Sequence, residues 1–199
     1  FIIPKNSGLN ECKDLIKDYL YENLIEVRGE DVPLFVSELS KQGNKVIGIT
    51  GEDLFKEFTL RNRNIEIKIL KRIILNNENY IFRKPSLCLL GPKDKRLDDL
   101  SENLKVCINS KYKELAKKYC MNFLENKGYR FEKIYVSGAT EEFFSNNVVD
   151  LVIDIVCSGK SAEKAGLKIY DKIFESDIVI IGGKNEEIWL RKLIQNNRK

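Results

Sequence analysis

Apolar residues along the chain fall into short runs, each ended by turn-forming residues and followed by a stretch with helical spacing. The pattern predicts a strand at 1–3, a turn through Pro4, Lys5, Asn6, Ser7 and Gly8, and a helix over 9–21 with Leu15, Ile16, Tyr19 and Leu20 on one face. A strand at 24–27 leads into a second turn, in which Asp31 stands at an N-cap position and Pro33 inside the first helical turn. The helix that follows, 32–41, is expected to carry Phe35, Val36 and Leu39 inward. A third strand, 46–49, ends at the turn Thr50-Gly51, and a helix starts at Glu52. Residues 65–75 alternate apolar with charged positions, the mark of a half-exposed strand.

The second half repeats this grammar. Strands are expected at 87–90, 104–108, 131–136 and 178–181. An amphipathic helix over 112–126 puts Leu115, Tyr119, Phe123 and Leu124 on its apolar side and closes at Lys127-Gly128. A short helix is expected at 141–147. A last, basic helix at 186–196 carries Trp189, Leu190, Leu193 and Ile194 on an apolar face open to packing or to a subunit contact. Repeated strand–turn–helix units argue for an open α/β sheet, in which ligands sit at the carboxyl ends of strands.

One stretch, 148–167, stands out. The run Leu151-Val152-Ile153-Asp154-Ile155-Val156 reads as a strand buried on both faces of a parallel sheet, with one carboxylate inside it. It breaks at Cys157-Ser158-Gly159-Lys160 and restarts as a helix from Ser161. Such a turn gathers free backbone N–H groups and the positive end of a helix dipole, which suits phosphate. Gly159 lets the backbone approach an anion, Lys160 adds charge, and Ser158 and Ser161 can cap the helix or donate to phosphate. Asp154 would accept from ribose hydroxyls. A plain capped turn has the same residues, and the pattern alone leaves both readings open. A Walker A loop is excluded, because the required glycine five positions before Gly159 is Asp154.

Composition narrows the chemistry. At 199 residues the chain can bury one or two full cores. Its net charge of +4 forms no basic stripe with interleaved aromatics, so nucleic acid is not the expected partner. The cysteines, at 12, 88, 107, 120 and 157, include no C-x-x-C pair and read as free thiols of a reducing compartment. No apolar run is long enough for a membrane span, and a cytoplasmic protein is expected. Histidine is absent, which removes the commonest general base and every Ser-His triad.

In their order, the turns resemble those of the ATP phosphoribosyltransferase family. Its Pro-Lys-Gly-Arg-type opening turn is Pro4-Lys5-Asn6-Ser7-Gly8, and its Arg-x-x-Asp-Val-Pro turn is Arg28 with Asp31, Val32 and Pro33. Its Gly-Ile-Thr-Gly-x-Asp turn runs intact from Gly48 to Asp53, and its Tyr-x-x-Leu-x-x-x-Tyr helix is marked by Tyr112, Leu115 and Tyr119. A Ser-Gly-x-x-Glu turn, Ser137 to Glu141, precedes the Asp-x-x-x-Asp-Ile-Val strand at Asp150, Asp154, Ile155 and Val156. The Ser/Thr-Gly-x-Thr loop is Ser158-Gly159-Lys160-Ser161, followed in place by Gly166-Leu167 and by Ile173-Phe174-Glu175-Ser176. The resemblance covers nearly the whole chain.

It implies two open α/β domains of the type II periplasmic-binding-protein architecture with substrates in a cleft. Residues 1–84 with 168–199 would form the ATP-side domain, and 85–167 the phosphoribosyl domain. The implied reaction joins phosphoribosyl pyrophosphate to N1 of ATP, releasing pyrophosphate with Mg²⁺, at the first step of histidine biosynthesis. Lys5 and Arg28 would stabilise the leaving group, and Glu141 and Asp154 would place the ribose or the nucleophile. Cys157, Ser158, Gly159, Lys160 and Ser161 would bind the 5-phosphate, and Asp31, Thr50, Gly51 and Asp53 would line the ATP side. No metal ligand from the protein is implied. The family's short form, which this length matches, is a homo-oligomer, a dimer or larger, served in many organisms by a separate synthetase-like regulatory subunit. Two departures fall on the ATP side: Gly8 replaces an arginine, and Lys5 lies closer to Arg28 than the family pattern has it. They favour, as an alternative, a non-catalytic phosphoribosyl- or nucleotide-binding regulatory module.

Overall fold

The computed structural model describes residues 1–5, 24–183, 185–188 and 190. Along the chain these form β1 (Ile2–Pro4), β2 (Ile25–Val27), α1 (Val32–Lys41), β3 (Ile47–Gly51), α2 (Glu52–Arg61) and β4 (Lys68–Ile73). There follow β5 (Ser86–Pro92), β6 (Asn103–Asn109), α3 (Lys113–Tyr119), β7 (Arg130–Val136), α4 (Thr140–Ser145), β8 (Leu151–Val156), α5 (Lys160–Lys164), β9 (Leu167–Glu175) and β10 (Ile178–Gly182). The turn around Gly8 and the helix expected over 9–21 lie outside the described residues, as do Trp189, Leu193 and Ile194 of the last helix.

The chain divides into two compact units, 1–74 with 177–199, and 75–176. Boundaries expected at 84 and 167 are thereby corrected. The physical reason is β9, a strand the hydrophobic pattern did not single out. It pairs antiparallel along β5 from Leu167 to Glu175 and so belongs to the second unit.

In the first unit the sheet order is β2-β1-β3-β10-β4. β1, β2 and β3 are parallel, whereas β10 is antiparallel to both β3 and β4. Ile2, Val32, Val36, Phe55, Val179 and Ile181 belong to its core. Helix α1 presents Val32 and Val36, one turn apart, to the sheet, with Leu39 packed beside them. Phe35, expected inside, lies at the flank of that stripe and is 41% exposed. Asp31 does stand at the N-cap with proline in the first turn, but its side chain makes no capping hydrogen bond.

In the second unit the order is β7-β6-β8-β5-β9. β8 is buried as its apolar run demands, yet its sheet is mixed. It runs parallel to β6 on one side and antiparallel to β5 on the other. Cys88, Leu90, Cys107, Val152, Val156 and Leu167 build the core beneath it. The single helix expected over 112–126 is a succession of turns: a 3-10 turn, α3, a π turn at Cys120–Leu124 and a further 3-10 turn. It ends, as expected, at Gly128, whose φ of 87° is a left-handed cap. Among the described residues no helix is long and apolar enough to cross a membrane.

Helix α1 approaches its sheet over Gly48, where a Cβ would come within 2.5 Å of Val36 Cγ2 and 2.8 Å of Val32 Cγ1. Gly48→Ala is therefore expected to destabilise the protein by about 1–3 kcal/mol through overpacking. Urea unfolding measures this, and a variant as stable as the parent would contradict the close approach.

Candidate functional site

The residues singled out in the sequence assemble into two groups, one in each unit. In the first unit, parallel pairing of β1, β2 and β3 gathers the turns after them at one end of the sheet. Lys5 N–H donates to Val27 O at 2.7 Å, which ties the first turn to the second. Buried Thr50 Oγ1 donates to Gly29 O at 3.0 Å, tying the second turn to the third. Lys5 and Arg28 are exposed there. Gly51 is the N-cap of α2 in extended backbone, and Asp53 is buried in that helix's first turn, where the dipole favours a carboxylate. Asp31 is half-buried at the start of α1. The six residues thus border one sheet end, built on backbone-to-turn hydrogen bonds.

The second group is more concentrated. β6, β7 and β8 are parallel, so Asn109, the turn 137–140 and the loop 157–160 share one end of their sheet. A pocket of 230 Å³ opens there, its wall including Glu141, Ile155, Cys157, Ser158, Gly159, Lys160 and Ser161. Ser158, Lys160 and Ser161 are exposed, and Cys157 and Gly159 half-buried. Helix α5 is capped by Gly159 through backbone alone, with φ 74°, and no serine side chain caps it. The capping role foreseen for Ser158 and Ser161 is not taken up, which leaves both hydroxyls exposed. The N–H groups of the first turn have no acceptor within the helix. Gly159 is doubly constrained: its φ is left-handed, and a Cβ would lie 2.5 Å from Ile81 Cδ1. Ile81 N–H in turn donates to Cys157 O at 3.0 Å, so the segment before β5 braces the loop.

Asp154 lies next to this pocket and is held from three directions. Thr140 Oγ1 donates to its Oδ2 at 2.7 Å, its neighbour Ile155 N–H to Oδ1 at 2.7 Å, and Asn109 Nδ2 to both oxygens at 3.0 and 3.2 Å. Burial pushes the Asp154 carboxyl above its ordinary value. The bonds from Thr140, Ile155 and Asn109 pull it back, and the charge of Glu141 adds to the rise. Below it, burial raises the Cys107 thiol to about 11, with the charges of Asp154 and Glu141 adding, and the Cys88 thiol to about 12. Both stay protonated at neutral pH and serve as core fillers. Sequence reasoning missed Asn109 and Thr140. Asn109 also caps the turn after β6, accepting from Lys111 N–H at 3.2 Å, and Thr140 lies within the Ser137 to Glu141 turn. Among the described residues no group of three or more acidic, cysteine or histidine side chains could hold a metal ion.

Comparisons with known proteins agree on a family. The HisG profile, ATP phosphoribosyltransferase, matches residues 28–197. Proteins called ATP phosphoribosyltransferase from Sulfurisphaera tokodaii and Methanocaldococcus jannaschii are 28% and 32% identical to the chain over 81% and 79% of it. The chain spans about half the length of these two curated relatives, 50% and 49%. A third, from Hydrogenobaculum, is 30% identical over 92% of this chain and 79% of its own. Among solved structures, the ATP phosphoribosyl transferase (HisG:HisZ) complex from Thermotoga maritima aligns with TM-score 0.71 at 20% identity, covering 98% of this chain and 92% of that one. The periplasmic aliphatic sulphonate binding protein SsuA from Escherichia coli aligns with TM-score 0.62 at 12% identity, covering 98% and 69%. At these identities the structures establish the fold: two α/β units of the kind found in periplasmic binding proteins.

Because the Asp154 carboxyl binds its proton more tightly folded than unfolded, the folded state keeps that proton as pH rises above 3.8, where the unfolded chain has lost it. This contribution therefore favours folding less as pH climbs through the raised value, and levels off above it. The unfolding free energy of the parent minus that of Asp154→Asn should fall over this window. Urea titrations at a series of pH values measure it, and a difference that rises with pH would contradict the assignment.

Proposed function

The chain belongs to the ATP phosphoribosyltransferase family, and from that premise we propose that it transfers phosphoribosyl from phosphoribosyl pyrophosphate to N1 of ATP, the first step of histidine biosynthesis. The observation that carries this reading is the pocket at the carboxyl end of the second sheet. There the Ser158-Gly159-Lys160-Ser161 loop, with its two serines and its lysine exposed, and the Glu141 carboxylate share one wall, with Asp154 held alongside. The loop supplies N–H groups, two hydroxyls and an ammonium for a phosphate, and the carboxylates supply acceptors for ribose hydroxyls.

In this reaction the adenine N1 lone pair forms a bond to C1 of the ribose as the bond from C1 to the pyrophosphate oxygen breaks, and the electron pair leaves with pyrophosphate. The nucleophile carries no proton to remove, so a chain without histidine lacks nothing the step requires. Catalysis then rests on holding the reactants in line and on neutralising the departing charge. Exposed Lys5 and Arg28 take the second role in the proposal, and Asp31, Thr50, Gly51 and Asp53 border the ATP. The described residues build no cage for Mg²⁺. In the proposal the ion enters as part of the substrate, on pyrophosphate oxygens. A cytoplasmic homo-oligomer with a separate regulatory subunit completes the reading. The glycine at position 8, where the family has arginine, favours as second reading a binding module without ATP chemistry.

Titration calorimetry with phosphoribosyl pyrophosphate and Mg²⁺, then with ATP, tests the proposal. Saturable binding of both, followed by turnover, is expected. Lys160→Ala should weaken phosphoribosyl pyrophosphate by about tenfold or more, the loss of one charge-assisted contact, and leave stability unchanged because Lys160 is exposed. Binding of phosphoribosyl pyrophosphate alone would favour the module. Binding of neither would overturn both readings.

A further inference from the structure

The proposed reaction gives no part to Thr140 or Asn109, yet these are the two side chains that hold Asp154. Thr140 is fully buried at the first position of α4. Its Oγ1 lies 2.7 Å from Asp154 Oδ2 and 3.2 Å from Glu141 Oε2. A hydroxyl has one proton. The shorter contact takes it, and Thr140 then stands as a single oxygen between two carboxylates. Asn109 has its orientation fixed from behind, because its Oδ1 accepts from Lys111 N–H. Its Nδ2 must therefore face Asp154, where one amide is shared over both oxygens. With the Ile155 N–H, three donors serve a carboxylate that offers about four lone-pair positions. One acceptor position is left.

Two carboxylates this close to one oxygen tend to share a proton unless one of them is supplied with donors. The titratable groups acting on Asp154 are Glu141 from α4 and Cys107 from β6, and the Cys107 thiol stays protonated. No lysine or arginine figures among the groups that set the proton affinity of Asp154. The donors of Thr140 and Asn109 do that work instead. A ribose presents vicinal hydroxyls, and two acceptors side by side are what they need.

Resting on the phosphoribosyl reading of the pocket, we propose that Thr140, supported by Asn109, is a positioning residue that holds the carboxylates of Asp154 and Glu141 apart and both free to accept, as paired acceptors for the ribose hydroxyls of phosphoribosyl pyrophosphate. The hydroxyl matters, not the volume: Thr140→Val keeps the shape and removes the donor, and Thr140→Ser keeps the donor.

Two readouts test this on the full chain. The first is the titration of Asp154 followed by carboxyl carbon NMR. The second is the affinity for phosphoribosyl pyrophosphate with Mg²⁺ across pH. In Thr140→Val the Asp154 midpoint should rise by about one pH unit, the worth of one hydrogen bond to a charged group. Affinity should fall, by at most about tenfold for a one-unit rise, at pH values below the raised Asp154 midpoint, and recover above it as that carboxyl loses its proton. Thr140→Ser should restore both. Asn109→Ala, which leaves α4 untouched although it removes the cap at Lys111 N–H, should move both in the same direction and stands in if Thr140→Val does not fold. An unmoved Asp154 midpoint, or an affinity lost equally at every pH, overturns the positioning role. If the parent binds no phosphoribosyl pyrophosphate at any pH, the functional reading fails instead. The carboxyl signal then decides by itself whether Thr140 holds Asp154.

Discussion

A half-buried carboxylate in the middle of an apolar strand sets the terms for the second unit. Every other side chain of β8 is aliphatic, and Asp154 alone brings charge into that run. A buried acceptor without donors costs several kcal/mol, more than most single packing contacts return. The donors come from the end of β6, the start of α4 and the strand's own backbone. Meeting that one demand fixes how three chain segments end relative to one another. The pocket wall is the by-product: once Thr140 is drawn to Asp154, Glu141 follows one residue later, beside the Cys157–Ser161 loop.

The first unit reaches a similar end by other means. Its turns are tied by Lys5 N–H to Val27 O and Thr50 Oγ1 to Gly29 O, so the backbone is the target in both cases. With the turns fastened through backbone groups, the charged side chains at the rim, Lys5 and Arg28, stay exposed to solvent. One unit therefore offers fixed acceptors next to an anion-friendly loop, and the other offers exposed cations. The proposed transfer, with a proton-free nucleophile and a highly charged leaving group, calls for those two kinds of surface.

Much of this was legible in the residues because it is local. The apolar run of β8, the turn after it, proline after Asp31 and glycine closing the 112–126 helix each carry their cause within a few positions. What was not legible depends on partners far along the chain. β9 reads as Leu-Lys-Ile-Tyr-Asp-Lys-Ile-Phe-Glu, half apolar, and becomes a strand because β5 lies open to it. β8 could not announce that β5 would pair with it antiparallel. Phe35 shows the limit of periodicity, since the sheet takes only the centre of a helical stripe and leaves its flank outside. The role of Thr140 and Asn109 was not legible for the same reason: their partner is 14 and 45 positions away.

The strands of the second unit begin and finish side by side. Ser176 N–H donates to Pro85 O at 2.9 Å, and Ser86 pairs with Glu175. The polypeptide thus departs from the first unit and returns to it through neighbouring strands. An inserted globule of this kind asks little of its host, because a long excursion with adjoining ends closes with about the entropy of a short loop.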